Sequence, residues 1–173
     1  MPRKRFAFSV LLGCLLFAPA TSAGATPTTL RLDGIGPLKL GMRVTAARQT
    51  GWLADRRTGC PLGGPPLPVT YRLIGRRAPD GIRGIAEFNR GRLTGLSFTR
   101  GVRTAAGVTV GVTSSARMVA RYRAAGFGAS ARYEGTFQGT FTNVRRGTRN
   151  VLGGFGEGAI VSLLAIPSVP VCE

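Results

Sequence analysis

One short pattern occurs twice in this chain, and it narrows the folds open to it more than any other feature. Leu38-Lys39-Leu40-Gly41-Met42-Arg43-Val44-Thr45-Ala46-Ala47-Arg48 returns in form as Val108-Thr109-Val110-Gly111-Val112-Thr113-Ser114-Ser115-Ala116-Arg117. Each copy reads as a short strand, a glycine break and the start of a helix. The first helix is predicted from about Val44 to Thr50, with its stop at Gly51. The second takes Thr113 as N-cap, carries Met118, Val119, Tyr122 and Ala125 on one face, and ends with Gly126 at C′. A large aromatic follows each stop, Trp52 and Phe127, placed to pack back on its own helix. Arg43 stands in the first copy where Thr113 caps the second, so that helix start is less well specified.

Each helix is followed, after a variable loop, by an expected β-hairpin. In the first half Gly84 to Phe88 and Leu93 to Phe98 flank Asn89-Arg90-Gly91-Arg92. In the second, Val151 to Phe155 and Ala159 to Leu164 flank Gly156-Glu157-Gly158. Phe88 with Phe155, Leu93 with Ile160 and Leu96 with Leu163 then correspond at one constant spacing. An extra strand is expected in each half, Thr70 to Ile74 and Arg132 to Val144, the latter with Tyr133, Phe137 and Phe141 marking its alternation. Pro61 to Pro68 and Arg76 to Gly81 read as loops.

The expected fold class is α+β: tandem helix-plus-hairpin repeats, about 30–100 and 101–173, forming one compact domain with a mainly antiparallel sheet. This layout, with Lys39-Leu40-Gly41-Met42 as its sharpest motif, resembles the strand-helix-sheet repeat of exported actinobacterial proteins of unknown function. More distantly it resembles the tandem modules of beta-lactamase inhibitor protein and of small outer-membrane assembly lipoproteins. The resemblance implies a non-enzymatic binding role through a concave sheet surface or the loops. It carries over no contact residue, and a fold likeness by itself assigns no function.

The first 25 residues have the three parts of an export signal: the cationic start Arg3-Lys4-Arg5, the apolar run Phe6 to Ala18, and Ala23-Gly24-Ala25 as a small-residue cleavage site. As a helix that apolar run spans about 20 Å, short of the ~30 Å hydrocarbon core of a bilayer, which favours a cleaved signal over an anchor. No later stretch is apolar enough to span, so the mature chain, 26–173, is expected outside the cytoplasm without a transmembrane segment. Leu11-Leu12-Gly13-Cys14 leaves lipoprotein anchoring through Cys14 as the minor alternative, although Leu15 after the cysteine is unusual for a lipobox. With the signal gone, Cys60 and Cys172 remain, an even pair in an oxidising compartment, and a disulfide is the natural inference. A bridge closing so long a loop is worth at most about 4 to 5 kcal/mol in the loop-entropy picture.

Of the formal net charge of +17, three units leave with the signal. All but Lys4 and Lys39 of the 24 basic residues are arginine, a usage that together with abundant Gly, Ala and Pro fits GC-rich coding. The pairs Arg56-Arg57, Arg76-Arg77 and Arg145-Arg146 are scattered, and no nucleic-acid motif accompanies them, so specific nucleic-acid recognition is not expected. The charge is then either a solvated surface or the means of meeting an acidic protein or an anionic cell-envelope polymer or lipid. Arg72, Arg83, Arg132 and Arg145 are the candidates whose convergence on one sheet face would favour an acidic partner.

Catalysis has little to work with. There is no histidine, hence neither the commonest general base nor the commonest neutral metal ligand. Ser97 lies in Gly95-Leu96-Ser97-Phe98-Thr99, which lacks the second glycine of a nucleophile elbow. Asp80 with Glu87, or Glu134 with Glu157, form no distinctive carboxylate spacing. Asp33-Gly34-Ile35-Gly36 reads as a turn, the glycine string 153–158 as a hairpin turn rather than a phosphate loop, and Pro65 to Pro68 as an extended surface loop. No catalytic residue, cofactor or metal is therefore expected. What remains is a secreted non-catalytic binding or cell-envelope protein, with a secreted enzyme inhibitor and a binder of anionic polymers or lipids as alternatives.

Overall fold

The structure is a computed structural model in which residues 27–60 and 65–171 are described; the expected signal segment with Cys14, residues 61–64, and Cys172 lie outside them. The first part of the chain forms strands β1 (Thr28–Arg31), β2 (Gly34–Ile35) and β3 (Leu38–Lys39), then helix α1 (Val44–Gln49). Strands β4 (Ala54–Thr58), β5 (Val69–Arg72), β6 (Arg83–Asn89) and β7 (Arg92–Arg100) follow it. After β8 (Val102–Thr104) comes helix α2 (Ser115–Ala124), followed by β9 (Gly128–Glu134), β10 (Gly139–Arg146), β11 (Arg149–Gly156) and β12 (Leu163–Ile166).

Eight strands make one sheet in the order β4-β5-β6-β7-β12-β11-β10-β9, antiparallel throughout. A second sheet, β3-β2-β1-β8, joins β1 to β8 in parallel. The molecule is thus α+β, strand-rich and mainly antiparallel.

The two helices are specified to different degrees. Arg43 at the N-cap of α1 makes no side-chain cap bond. The cap of α2 is Ser114, whose Oγ accepts from the Arg117 amide at 3.2 Å. Thr113, expected in that role, is turned into the protein, where its hydroxyl accepts from the Thr109 amide at 2.9 Å. The far end behaves as read: Gly126 adopts φ +81°, its amide donates to the Arg123 carbonyl and that of Phe127 to Tyr122. That bond pattern, with Phe127 packed edge-on to Tyr122 at 5.6 Å, is a Schellman stop with its apolar contact. Ala125 falls beyond the last turn and is exposed, while Met118 and Tyr122 are buried. Trp52 covers Gly36, where a Cβ would lie 2.5 Å from the indole ring.

The first hairpin forms where expected, with Arg90 and Gly91 both at positive φ between β6 and β7. Two strand expectations are corrected. Arg132 to Val144 is two strands, because Gln138 takes the left-handed conformation at φ 48° after a short 3-10 turn and reverses the chain. In the second half the tight turn falls between β10 and β11, and Ala159 to Ser162 form a loop before β12. Leu164, not Leu163, stands opposite Phe98 and is buried.

The loops do structural work of their own. Gly41 donates to the Leu93 carbonyl, Leu93 to Met42, and Val44 to Gly91, fastening the β6–β7 turn to the start of α1. Gly111 donates to Val161, Val161 to Thr113, and Ser115 to Ala159, fastening the loop before β12 to the start of α2. One buried cluster unites Phe98, Leu96, Leu152, Leu164 and Ile166 of the large sheet with Leu30, Ile35, Leu38 and Val102 of the small one and Met118 and Tyr122 of α2. Each such side chain contributes about 1.5–3 kcal/mol by leaving water. Gly154 keeps the sheet low beneath α2, since a Cβ there would meet the Met118 sulfur at 3.0 Å.

Candidate binding face of the large sheet

Strand alternation assigns the two faces of the large sheet. Tyr71, Ala86, Phe88, Leu96, Phe98, Leu164, Leu152 and Val144 point to the core. Their neighbours in sequence therefore point to the opposite face. That face carries an aromatic row, Phe137 to Phe141 at 5.4 Å and Phe141 to Phe155 at 4.9 Å between ring centroids. Leu163 is cross-strand from Phe155 and extends the row toward the first half.

All four candidate arginines fall on this face, as two separated pairs. Arg72 and Arg83, from neighbouring strands, line one cavity of about 290 Å³ with Ile74, Ile85, Ser97, Thr99 and Leu163. Arg132 and Arg145 sit on β9 and β10, five and four sheet positions beyond β6, a separation on the order of 20 Å or more. Arg72 pairs with Asp55 at 3.3 Å, Arg132 with Glu134 at 3.0 Å, and Arg145 donates to the Asn150 side chain at 3.2 Å. Arg83 donates to the Ile82 carbonyl and makes no ion pair among the described residues.

The end of the chain crosses this face. Past β12, Val169 lies so close over Gly153 that a Cβ there would meet its amide nitrogen at 2.6 Å. Pro167, Ser168 and Pro170 then form one wall of a second cavity, about 280 Å³, with Thr70, Ile85, Glu87, Thr94, Gly95 and Ser97 among its other lining residues. Cys60 lines it too, and its Sγ lies 3.8 Å from the Val171 carbonyl oxygen. Cys172, its expected partner, lies outside the described residues. The two cavities share Ile85 and Ser97, so they form one groove along β6.

Glu87 and Ser97 were visible as residues but not as members of a site, because they meet only through the β5-β6-β7 register and the tail. The aromatic row did leave a signal, the spacing of Phe137 and Phe141. A further cleft, lined by Arg48, Gln49, Gly51, Arg76 and Arg77 beside the end of α1, had none beyond the pair Arg76-Arg77. Among the described residues no cluster of His, Cys, Asp and Glu could hold a metal ion, and no helix is long and apolar enough to cross a membrane. The chain matches no family model, no curated protein and no solved structure in comparisons with known proteins.

Proposed function

We propose that this is an exported, non-catalytic binding protein that meets a folded acidic protein with the outer face of its large sheet. The observation that carries the reading is the row Phe137, Phe141, Phe155 and Leu163, on the face away from the core, with Arg72 and Arg83 on one side, Arg132 on the other and Arg145 farther along the strand of Phe141. An apolar centre inside a charged rim is how protein interfaces are organised, with aromatics and arginine supplying most of the energy. An anionic polymer calls instead for a continuous cationic track, and here two arginine pairs stand apart.

A duplication supports the same reading. Each helix precedes four strands of the large sheet in sequence, and equivalent backbone bonds fasten a later loop to each helix start. In these bonds Gly91 is matched by Ala159 and Leu93 by Val161, one residue beyond the expected Ile160, which supports reading the chain as two helix-and-sheet repeats joined at β7 and β12. This layout resembles that of the inhibitor-like modules named above, and kinship with them would make the partner a secreted enzyme.

The test is titration of the mature protein against a panel of acidic secreted hydrolases. Binding should weaken at least about ten-fold in Phe141→Ala and in Arg132→Gln, and fall as salt rises. Equal or tighter binding to lipoteichoic acid or anionic vesicles, lost with the arginines but indifferent to Phe141, would replace this reading with the polymer one. Turnover of a substrate that vanishes on mutating a defined residue pair would end it. Export and the pairing of Cys60 with Cys172 are read in one measurement: the intact mass of protein recovered outside the cell should correspond to cleavage after Ala25 and to loss of the two thiol hydrogens. A lipid adduct, a retained signal or a mass with both thiols would overturn the corresponding part.

A further inference from the structure

The groove along β6 differs from the rest of the face in having opposite charges at its two ends. Arg83, Ile85 and Glu87 occupy alternate positions of one strand, so the Cα atoms of Arg83 and Glu87 stand about 13 Å apart. Arg72 joins Arg83 at the first end, and its single contact to Asp55, 3.3 Å at a half-exposed site, leaves donors of its fork free. At the second end Glu87 makes no ion pair among the described residues. Between them the floor is low on the β7 side, and Ile85, 45% exposed, rises beside it. Gly95 carries no side chain, Ser97 a short one, and Ile85 and Leu163 supply apolar contact. Thr70 and the tail residues Pro167, Ser168 and Pro170 wall the Glu87 end.

We propose that this groove binds a short peptide with free ends, extended along β6, its α-carboxylate between Arg72 and Arg83 and its α-ammonium at Glu87. The length selects the ligand: four extended residues at about 3.3 Å each match the spacing of the two charged positions along the strand. The chemistry selects its direction, since arginine forks take a carboxylate through paired charge-assisted bonds and a carboxylate such as Glu87 takes an ammonium. Ser97 and Thr99 offer hydroxyls toward the peptide backbone, while the Thr94 hydroxyl donates to the Glu87 carbonyl at 3.3 Å. Small-peptide binding here does not depend on a protein partner covering the whole face, so the two readings can fail separately.

The experiment is calorimetric titration with amide NMR of the processed, exported protein, using tetra-alanine, its C-terminal amide, its N-acetyl form, and dialanine. Tetra-alanine should saturate and shift the Ile85, Gly95 and Ser97 amides. The amide should bind about ten-fold more weakly, and dialanine, too short to reach both ends, weaker by a similar factor. Arg83→Gln should erase the difference between acid and amide, and Glu87→Gln that between free and acetylated amine. Both side chains lie on the outer face, so an unchanged spectrum away from the groove confirms that each variant folds. Equal affinity of acid and amide, shifts centred on the aromatic row or the Arg48 cleft, or no saturation by about 10 mM would overturn the proposal.

Discussion

At the scale of single residues, Tyr122 shows how a side chain can be placed for packing and carry a chemical consequence. It is buried against Phe127 and the core, and burial raises its phenol above the usual 10.0, with a hydrogen bond to Thr104 pulling more weakly the other way. The folded state therefore holds this proton more tightly than the unfolded chain does. The stability that follows is intact below about pH 10 and is lost as pH rises through the raised folded value. Urea unfolding followed between about pH 8 and pH 11.5 should show this loss, and Tyr122→Phe should remove that part of the slope. Tyr122 was readable from helical periodicity. Ser114 was not read as the cap, because adjacent Thr113 and Ser114 are both good caps and only the packing of Thr113 inward decides between them.

At the scale of elements, β12 was expected in part but with its faces misplaced, for a physical reason. Its neighbours Leu164, Ala165 and Ile166 are all buried, so the alternation that normally marks a half-exposed strand is gone. The tail is responsible: it covers Gly153, the cross-strand neighbour of Ala165, on the face that would otherwise be open. A one-residue slip exchanges the faces of every side chain, and Leu163 and Leu164 give the sequence no means of choosing. The structure makes the choice measurable. Leu164→Ala should cost about 2–5 kcal/mol in denaturant unfolding, whereas Leu163→Ala, at the edge of the groove, should cost under about 1 kcal/mol. Equal losses would mean that the register is wrong. The first hairpin, in contrast, was legible, since Arg90-Gly91 marks its turn and Ala86, Phe88, Leu93, Leu96 and Phe98 mark its buried face, although Thr94 adds a bulge that the sequence does not announce.

At the scale of the whole molecule, the charge set by composition acts on stability and on binding with opposite sign. The four ion pairs among the described residues are all exposed and worth little individually, so they offset little of the repulsion among the arginines. Raising salt from about 10 mM to about 150 mM should therefore raise the Tm of the isolated protein by a few degrees, while weakening its hold on an acidic partner. The sequence carried this charge and the candidate arginines plainly enough. It could not carry their grouping, because Arg72 meets Arg83 only through the pairing of β5 with β6, and the aromatic row separates them from Arg132 and Arg145 only through sheet order. The fastenings at the two helix starts have a consequence in time. Helix α1 is too short to persist alone, and its first turn is held by Gly91 and Leu93; α2 is held in the same way by Ala159 and Val161, close to the end of the chain. A chain emerging from its amino end cannot fasten the start of α2 until Ala159 and Val161 have followed it, after β9, β10 and β11, so these contacts of the second half form late.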